Sequence, residues 1–308
     1  MRIIQFSLER KCVARKPIVA CIGYFDGLHR GHRQLIAKTI KIASEQNLEP
    51  SLITFDPDPW VIVKKVKDPQ HLSTMRQRIN MASSLGIKNI IILQFNSKMA
   101  NLSYQEFEKQ VLAALNIQTL ICGFDFHYGH KGEGSVETLK QQTAMKVEVV
   151  DCVSEDNEKI SSTRISELIV NDQVAKANEL LGYRYQIEGE IIHGHKQGRT
   201  IGFPTANIKV DGEYILPSLG VYAGYIKVHN QWYLTMINVG HNPTFNESVK
   251  VSIEAFILDF SKMIYGEKVI LEFDHFIRHE RKFSNKSNLA LQLEQDVKHV
   301  RKMLKAHE

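Results

Sequence analysis

The sequence is poor in cysteine, and none of its cysteines is paired by spacing. Four occur in 308 residues, at Cys12, Cys21, Cys122 and Cys152. No C-x-x-C is present, which excludes the zinc and dithiol patterns that depend on it. Cys21 and Cys122 fall inside apolar runs, where a buried free thiol is expected. No apolar stretch is long enough to cross a membrane. The start, Met1-Arg2-Ile3-Ile4-Gln5, reaches charge again by Glu9 without the apolar segment of a secretory signal. A reducing cytoplasm is the expected setting. A block of lysine and arginine is also missing, although the formal net charge is +5. So mild an excess favours small anionic partners and points to neither nucleic acid nor a membrane surface. The pattern G-x-x-x-x-G-K-[ST] is absent, so any nucleoside triphosphate must be held without a P-loop. There is no internal repeat or low-complexity segment, and nothing in the pattern sets an oligomeric state.

What is present is an ordinary globular composition, 43% hydrophobic and 24% charged, at a length that suggests two domains. In the first half, short apolar runs at Ile18–Ile22, Ser51–Phe55, Asn89–Leu93, Thr119–Cys122 and Val147–Val150 read as buried strands. Helical patterns lie between them. Ser103 and Glu106 form a capping box, and Phe107, Val111, Leu112 and Leu115 share one helical face. Strands alternating with helices predict an α/β domain with a parallel sheet. The pattern changes after the helical stretch Thr163–Leu181. Tyr185–Ile192, Val221–Val228, Trp232–Val239, Val251–Ile257 and Lys268–Phe276 read as strands separated by turn residues, without intervening helices. That spacing predicts an antiparallel sheet or barrel, closed by a terminal helix carrying Leu289, Leu293, Val297, Val300 and Leu304. The expected domains are 1–182 and 183–308.

Two groups of residues carry chemistry. In the first half, Gly23-Tyr24-Phe25-Asp26-Gly27-Leu28-His29-Arg30-Gly31-His32 joins the first of these strands to a helical stretch, Arg33–Ala43. Backbone N–H groups and the helix dipole favour phosphate at such a junction. His29 and His32 can donate to a polyphosphate as charge develops on it, and Gly31 leaves room between them. Further on, Ser161, Ser162, Thr163 and Arg164 open a predicted helix, either as a plain N-cap with a solvated arginine or as phosphate ligands. Asp125, in Gly123-Phe124-Asp125-Phe126-His127-Tyr128-Gly129, follows a strand and stands at the carboxyl edge of the sheet, as a turn residue or as a ligand contact. In the second half, Gly198-Arg199-Thr200-Ile201-Gly202-Phe203-Pro204-Thr205-Ala206-Asn207 combines loop-wrapping glycines, a stiffening Pro204, and neutral oxygens on Thr205 and Asn207 that suit a magnesium ion held by ATP phosphates. It is followed by Asn238-Val239-Gly240-His241-Asn242-Pro243-Thr244-Phe245, and then by Glu254 in a predicted strand.

The first stretch resembles the H-x-G-H signature of nucleotidyltransferases, a superfamily that includes class I aminoacyl-tRNA synthetases, so alone it leaves the substrate open. With I-S-S-T at residues 160–163 and the Asp125 segment, the first half is similar to prokaryotic FMN adenylyltransferases. The second half resembles riboflavin kinases through G-R-x-x-G-F-P-T-A-N, N-x-G-x-x-P-T-F, Gly220-Val221-Tyr222-Ala223 and the R-x-E-x-K-F segment from Arg278. Agreement in order along the chain weighs more than any one motif. The chain is therefore identified as a member of the bifunctional riboflavin kinase/FMN adenylyltransferase family. The resemblance implies a Rossmann-like nucleotidyltransferase domain and a β-barrel kinase domain. It implies ATP, riboflavin and FMN as substrates and Mg2+ as cofactor. It assigns Glu254 as catalytic base, with His29 and His32 catalytic in adenylyl transfer. Gly23, Phe25, Asp26, Gly27, Gly31, Ser161, Ser162, Thr163, Arg164, Gly198, Arg199, Gly202 and Pro204 would bind ATP or phosphate. Asp125, Asn238 and Arg278 would bind flavin, and Thr205 and Asn207 the metal. The chain departs from the family at Tyr24, usually Asn, and at Asp58, usually His, where a carboxylate would repel phosphate. It also carries Phe256 where many members have His. Tyr24 and Asp58 motivate an alternative, a riboflavin kinase with a weak or inactive adenylyltransferase module. A non-enzymatic flavin-sensing or nucleic-acid-binding protein is the reading from a different class, opposed by the intact second motif and Glu254.

Overall fold

The computed structural model describes residues 1–9, 16–142, 145–194, 202–242 and 250–304. Two compact units divide the chain: Met1–Pro69 with Thr74–Ser161, and Gln70–Ser73 with Ser162–Glu308.

The first unit is a six-stranded parallel sheet in the order β1-β4-β3-β2-β5-β6. Its strands are β1 (Arg2–Phe6), β2 (Ile18–Ile22), β3 (Glu49–Asp56), β4 (Asn89–Gln94), β5 (Ile117–Gly123) and β6 (Lys146–Val150). Every residue of β2 is buried, as a central parallel strand covered on both faces requires. Alternate side chains go to opposite faces. Ile18, Ala20 and Ile22 join one apolar cluster with Phe107, Val111 and Leu115, while Val19 and Cys21 join the other with Ile36 and Ala43. The covering helices are α1 (Arg30–Glu45), α2 (Pro59–Val63), α3 (Met75–Ser84), α4 (Ser97–Ala100), α5 (Tyr104–Phe107) and α6 (Val136–Gln141). Capping boxes start α3 at Thr74 and α5 at Ser103. A short hairpin of β7 (Ser154–Glu155) and β8 (Glu158–Lys159) follows the sheet. Chain order reverses between β2 and β5, which are neighbours in the sheet. Open parallel sheets bind ligands in the crevice outside the carboxyl ends of strands at such a switch point.

The second unit begins with α7 (Ser162–Val170) and α8 (Val174–Leu181) and continues into a closed antiparallel barrel ordered β10-β13-β12-β11-β14-β9. The strands are β9 (Tyr185–Ile192), β10 (Ala206–Val210), β11 (Gly220–Val228), β12 (Gln231–Asn242), β13 (Lys250–Ile257) and β14 (Lys268–Arg278), followed by α9 (Lys286–Met303). The parallel α/β domain, the barrel and the terminal helix match the expected architecture. The residues 163–181, read as one helical stretch, are two helices broken around Asp172, whose φ is 63°. On β13, Ile253, Ala255 and Ile257 point inward opposite Val239, Ile237 and Thr235 of β12. The outward set, Met236 and Phe256 with Val221, Ala223 and Tyr225, packs under Leu293, Val297 and Val300 of α9. Among the described residues, closure leaves the barrel no open edge for another chain to pair with.

Candidate active sites

In the first unit, the segment after β2 makes a strained turn before α1. Phe25 and Leu28 have φ of 56° and 34°, and Gly27 has 71°. The turn delivers His29 to the N-cap of α1, where its Nδ1 accepts the backbone N–H of His32 at 3.4 Å. An Nδ1 that accepts leaves the proton on Nε2, so His29 presents Nε2–H as a donor. The two imidazoles stack with centroids 3.7 Å apart and 19° between planes. A Cβ at Gly31 would stand 3.1 Å from His29 Cε1, so the glycine makes room for the ring itself.

Burial first, and then the charge of Lys159, pushes His29 down to about 4. Burial also holds His32 well below the usual imidazole range, helped by His29, Arg78 and Lys159. Both rings are therefore neutral near pH 7. Nδ1 of His32 is shut off from solvent with no hydrogen-bond partner among the described residues, an arrangement that costs about 1–3 kcal/mol.

The remaining motif residues separate by what they touch. The ring of Phe25 is fully buried in the core, 5.2 Å from that of His32, so only its backbone can reach a ligand. The Gly23 N–H donates to the Ile53 carbonyl. Asp26 pairs with Arg78 at 3.1 Å. Asp58 is 3% exposed, and both its oxygens accept from the Arg78 guanidinium at 2.8 and 3.1 Å, so its charge is compensated inside the fold. Burial opposes the charge on Arg78, but Asp26 and Asp58 more than offset it and raise its pKa. Tyr24 is exposed and lies edge-on to Phe55 at 5.8 Å.

Asp125 stands just past the carboxyl end of β5, exposed and ion-paired with Lys159. The Lys159 ammonium also lies 5.2 Å from the centre of the exposed Phe124 ring. The hairpin carrying Lys159 is tied at its other strand by Glu155 to Arg30 at 2.8 Å. The Ile160 carbonyl passes 3.8 Å from the Cβ position of Gly31. The segment thus runs beside the histidine turn and places a cation at the β2/β5 crevice. Neither Arg78 nor Lys159 belongs to a motif quoted from the sequence, and no local pattern singled them out. Ser161 ends the first unit, and Ser162, Thr163 and Arg164 begin α7 in the second.

In the second unit, strand register does the assembling. Asn207 on β10 and Asn238 on β12 are both direct partners of Glu254 on β13. Directly paired residues share a face, with Cβ atoms about 5 Å apart. All three belong to the outward set. Thr205 donates its hydroxyl to the Glu254 carboxylate at 2.9 Å. The Asn207 carboxamide lies over Gly194, where any Cβ would collide with it. Gly202 takes a φ of 83°, and Pro204 is exposed beside it. Phe203 packs on Phe256 at 5.2 Å, so the Phe256 ring supports the loop. Gly198, Arg199, Thr200, Ile201, Cys12 and residues 243–245 lie outside the described residues.

Arg278, at the end of β14, is the register partner of Val221 on β11, which in turn pairs with Asn238. Its guanidinium binds both oxygens of the fully buried Asp296 on α9, at 2.7 to 3.1 Å, and donates to the His279 carbonyl. That pair fastens the terminal helix to β14. The side chains at Glu254 offer hard oxygens, which suit magnesium carried by nucleotide phosphates. Among the described residues no group of three or more His, Cys, Asp or Glu could hold an ion alone.

A neutral imidazole pair at the switch point of a parallel sheet, and in the same chain a carboxylate bonded by a hydroxyl and paired in register with two asparagines on a barrel wall, define a two-module transferase acting on phosphate groups. The comparisons specify which. A family model described as FAD synthetase matches residues 12–164, and one described as riboflavin kinase matches residues 181–304. Proteins named bifunctional riboflavin kinase/FMN adenylyltransferase are 38% identical in Listeria monocytogenes (92% of this chain, 91% of that protein) and 39% in Bacillus subtilis (90% of each). The Escherichia coli K12 protein of the same name is 30% identical over 96% of each chain. The chain belongs to the bifunctional riboflavin kinase/FMN adenylyltransferase family. A crystal structure described as a macrolide-efflux protein from Streptococcus pneumoniae has the same fold, with a TM-score of 0.90 and 31% identity over 98% of this chain and 99% of that one. Among the described residues of this chain, no helix is long and apolar enough to cross a membrane.

Proposed function

We propose that this chain makes FAD in two ATP-dependent steps, phosphorylating riboflavin in the barrel and adenylylating the resulting FMN in the parallel-sheet unit. The observation that carries the reading is the convergence of Thr205, Asn207 and Asn238 on Glu254. In the first step Glu254 takes the proton of the ribityl 5′-hydroxyl as that oxygen bonds to the γ-phosphorus of ATP and the bond to ADP breaks. Thr205 and Asn207 would hold the Mg2+ that accompanies ATP, which neutralises phosphate charge when bound. Asn238 is placed to fix the ribityl chain or ring edge. The flavin role expected of Arg278 is supported less well, because its guanidinium already serves Asp296.

In the second step a phosphate oxygen of FMN attacks the α-phosphorus of a second ATP, and the bond to the β-phosphate breaks to release pyrophosphate. His29 and His32 are neutral donors to the oxygens on which charge grows. The turn at Gly23, Asp26, Gly27 and Gly31 shapes the phosphate site, and the family motif assigns phosphate binding to Ser161, Ser162, Thr163 and Arg164. Because the imidazoles are neutral, Lys159 is the cation best placed to meet phosphate in the first unit, with Asp125 as its partner in the free enzyme. Three described cysteines are free thiols, which suits a reducing cytoplasm.

The test is incubation of the protein with riboflavin, ATP and magnesium, with the flavins resolved by chromatography. FMN and then FAD are expected. Glu254→Gln should lower riboflavin phosphorylation about 100-fold or more and leave FAD formation from added FMN intact. FMN without FAD would refute the second step.

A further inference from the structure

Beneath the histidine turn lies a charge arrangement that the reaction scheme has not used. Arg78, on α3, is 5% exposed and serves three residues at once. It holds both oxygens of Asp58, one oxygen of Asp26 at 3.1 Å, and the Tyr24 carbonyl at 3.3 Å. Asp58 stands at the N-cap position of α2, just past β3. Tyr24 and Asp26 belong to the turn past β2, the neighbouring strand. One guanidinium therefore ties together the loops at the carboxyl ends of adjacent strands.

The turn needs such a tie. Phe25 and Leu28 are non-glycine residues in left-handed backbone, each costing about 1–3 kcal/mol and persisting only where the surroundings over-determine it. The Arg78 bonds to Tyr24 and Asp26 bracket Phe25, and Thr54 adds a hydroxyl bond to the same Tyr24 carbonyl at 3.0 Å. His29 follows the turn directly and stacks on His32, so its position is inherited from the turn.

We infer that Arg78 is a positioning residue for adenylyl transfer, holding the turn that places His29 and His32, with Asp58 as its internal counter-ion. The inference rests on the adenylyltransferase reading of that site. A displacement of about 1 Å in reacting groups costs about 100-fold in rate, whereas binding of ATP as a whole tolerates it. Lysine keeps the charge of Arg78 but not the planar fork that reaches three partners.

The experiment compares wild type, Arg78→Lys and Asp58→Asn as full chains, measuring FAD formation from FMN, its kcat and its KM for ATP. Riboflavin phosphorylation by the same samples serves as the control. Arg78→Lys should lower kcat for FAD formation about 10- to 100-fold with KM for ATP changed by less than about 3-fold. Asp58→Asn should fall in the same direction by a smaller factor, and FMN formation should be unchanged in both. Full kcat in Arg78→Lys would overturn the inference, as would a raised KM with kcat intact. Loss of ATP binding together with the folded transition of the first unit would also overturn it, showing a scaffold residue only. A wild-type chain that makes no FAD would instead refute the adenylyltransferase reading itself.

Discussion

Acidification should destabilise the first unit through His29, in a range set by its burial. The imidazole takes a proton near its ordinary 6.5 in the unfolded chain, but in the folded chain only at about 4. Between those values the unfolded state holds more protons, so unfolding free energy falls as pH falls. The contribution is complete above about pH 6.5 and lost by about pH 4, and at about 1.4 kcal/mol per pH unit it amounts to about 3 kcal/mol. About 2 kcal/mol should already be gone by about pH 5. The chain has two tryptophans, one at Trp60 in the first unit. In a Trp232→Phe background, Trp60 fluorescence during urea unfolding reports that unit. The difference between this protein and the same background carrying His29→Gln isolates the histidine from carboxylates that titrate in the same range. Parallel stability profiles for the two proteins would refute the reasoning. The same neutrality predicts that kcat for FAD formation shows no inflection near pH 6.5, and a step there would mean charged imidazoles in the working enzyme.

Lys159→Met should raise KM for FMN about tenfold, the worth of one charge-assisted contact, and leave riboflavin phosphorylation untouched. An unchanged KM for both FMN and ATP would remove Lys159 from the site. Asp296→Asn breaks the buried pair with Arg278 and should destabilise the barrel unit by about 3–5 kcal/mol, read by Trp232, which packs in the cluster under α9. A loss well under about 1 kcal/mol would show that α9 is held by its apolar face alone.

Strong periodicity made most of the fold legible. The expected bounds of Ile18–Ile22 and Tyr185–Ile192 coincide with β2 and β9. β1 went unread because it is an edge strand whose outer residues are largely exposed, so its apolar pattern is short and mixed with charge. β10 is hard to see because its first two residues, Ala206 and Asn207, close a stretch that reads by its glycines and proline as a loop, although it carries Asn207 to Glu254. Chemistry followed the same division. Residues in local motifs, His29 with His32 and Thr205 with Asn207, stand out as candidates from their spacing. Arg78 does not, because its partners lie 20, 52 and 54 residues away and it sits in a helix of otherwise ordinary polar appearance. Asp58 read as a hazard to phosphate because its compensating cation is visible only in three dimensions. The ion pair of Arg278 is equally invisible in its motif, because the Asp296 carboxylate arrives from a later helix.

The pairing of Asn207, Glu254 and Asn238 across β10, β13 and β12 sets a parity rule for length variation. Side chains of a strand alternate between the two walls of the barrel. Inserting or deleting a single residue within β13 before Glu254 would turn its carboxylate into the apolar interior, where Ile253 and Ala255 now stand on either side in sequence and face inward. A two-residue change would return it to the outer wall but against different neighbours. Loops between these strands face no such parity. Among relatives that keep the chemistry, gaps should therefore gather in the connections and be absent from these three strands, so that the barrel acts as a reading frame for its own active site.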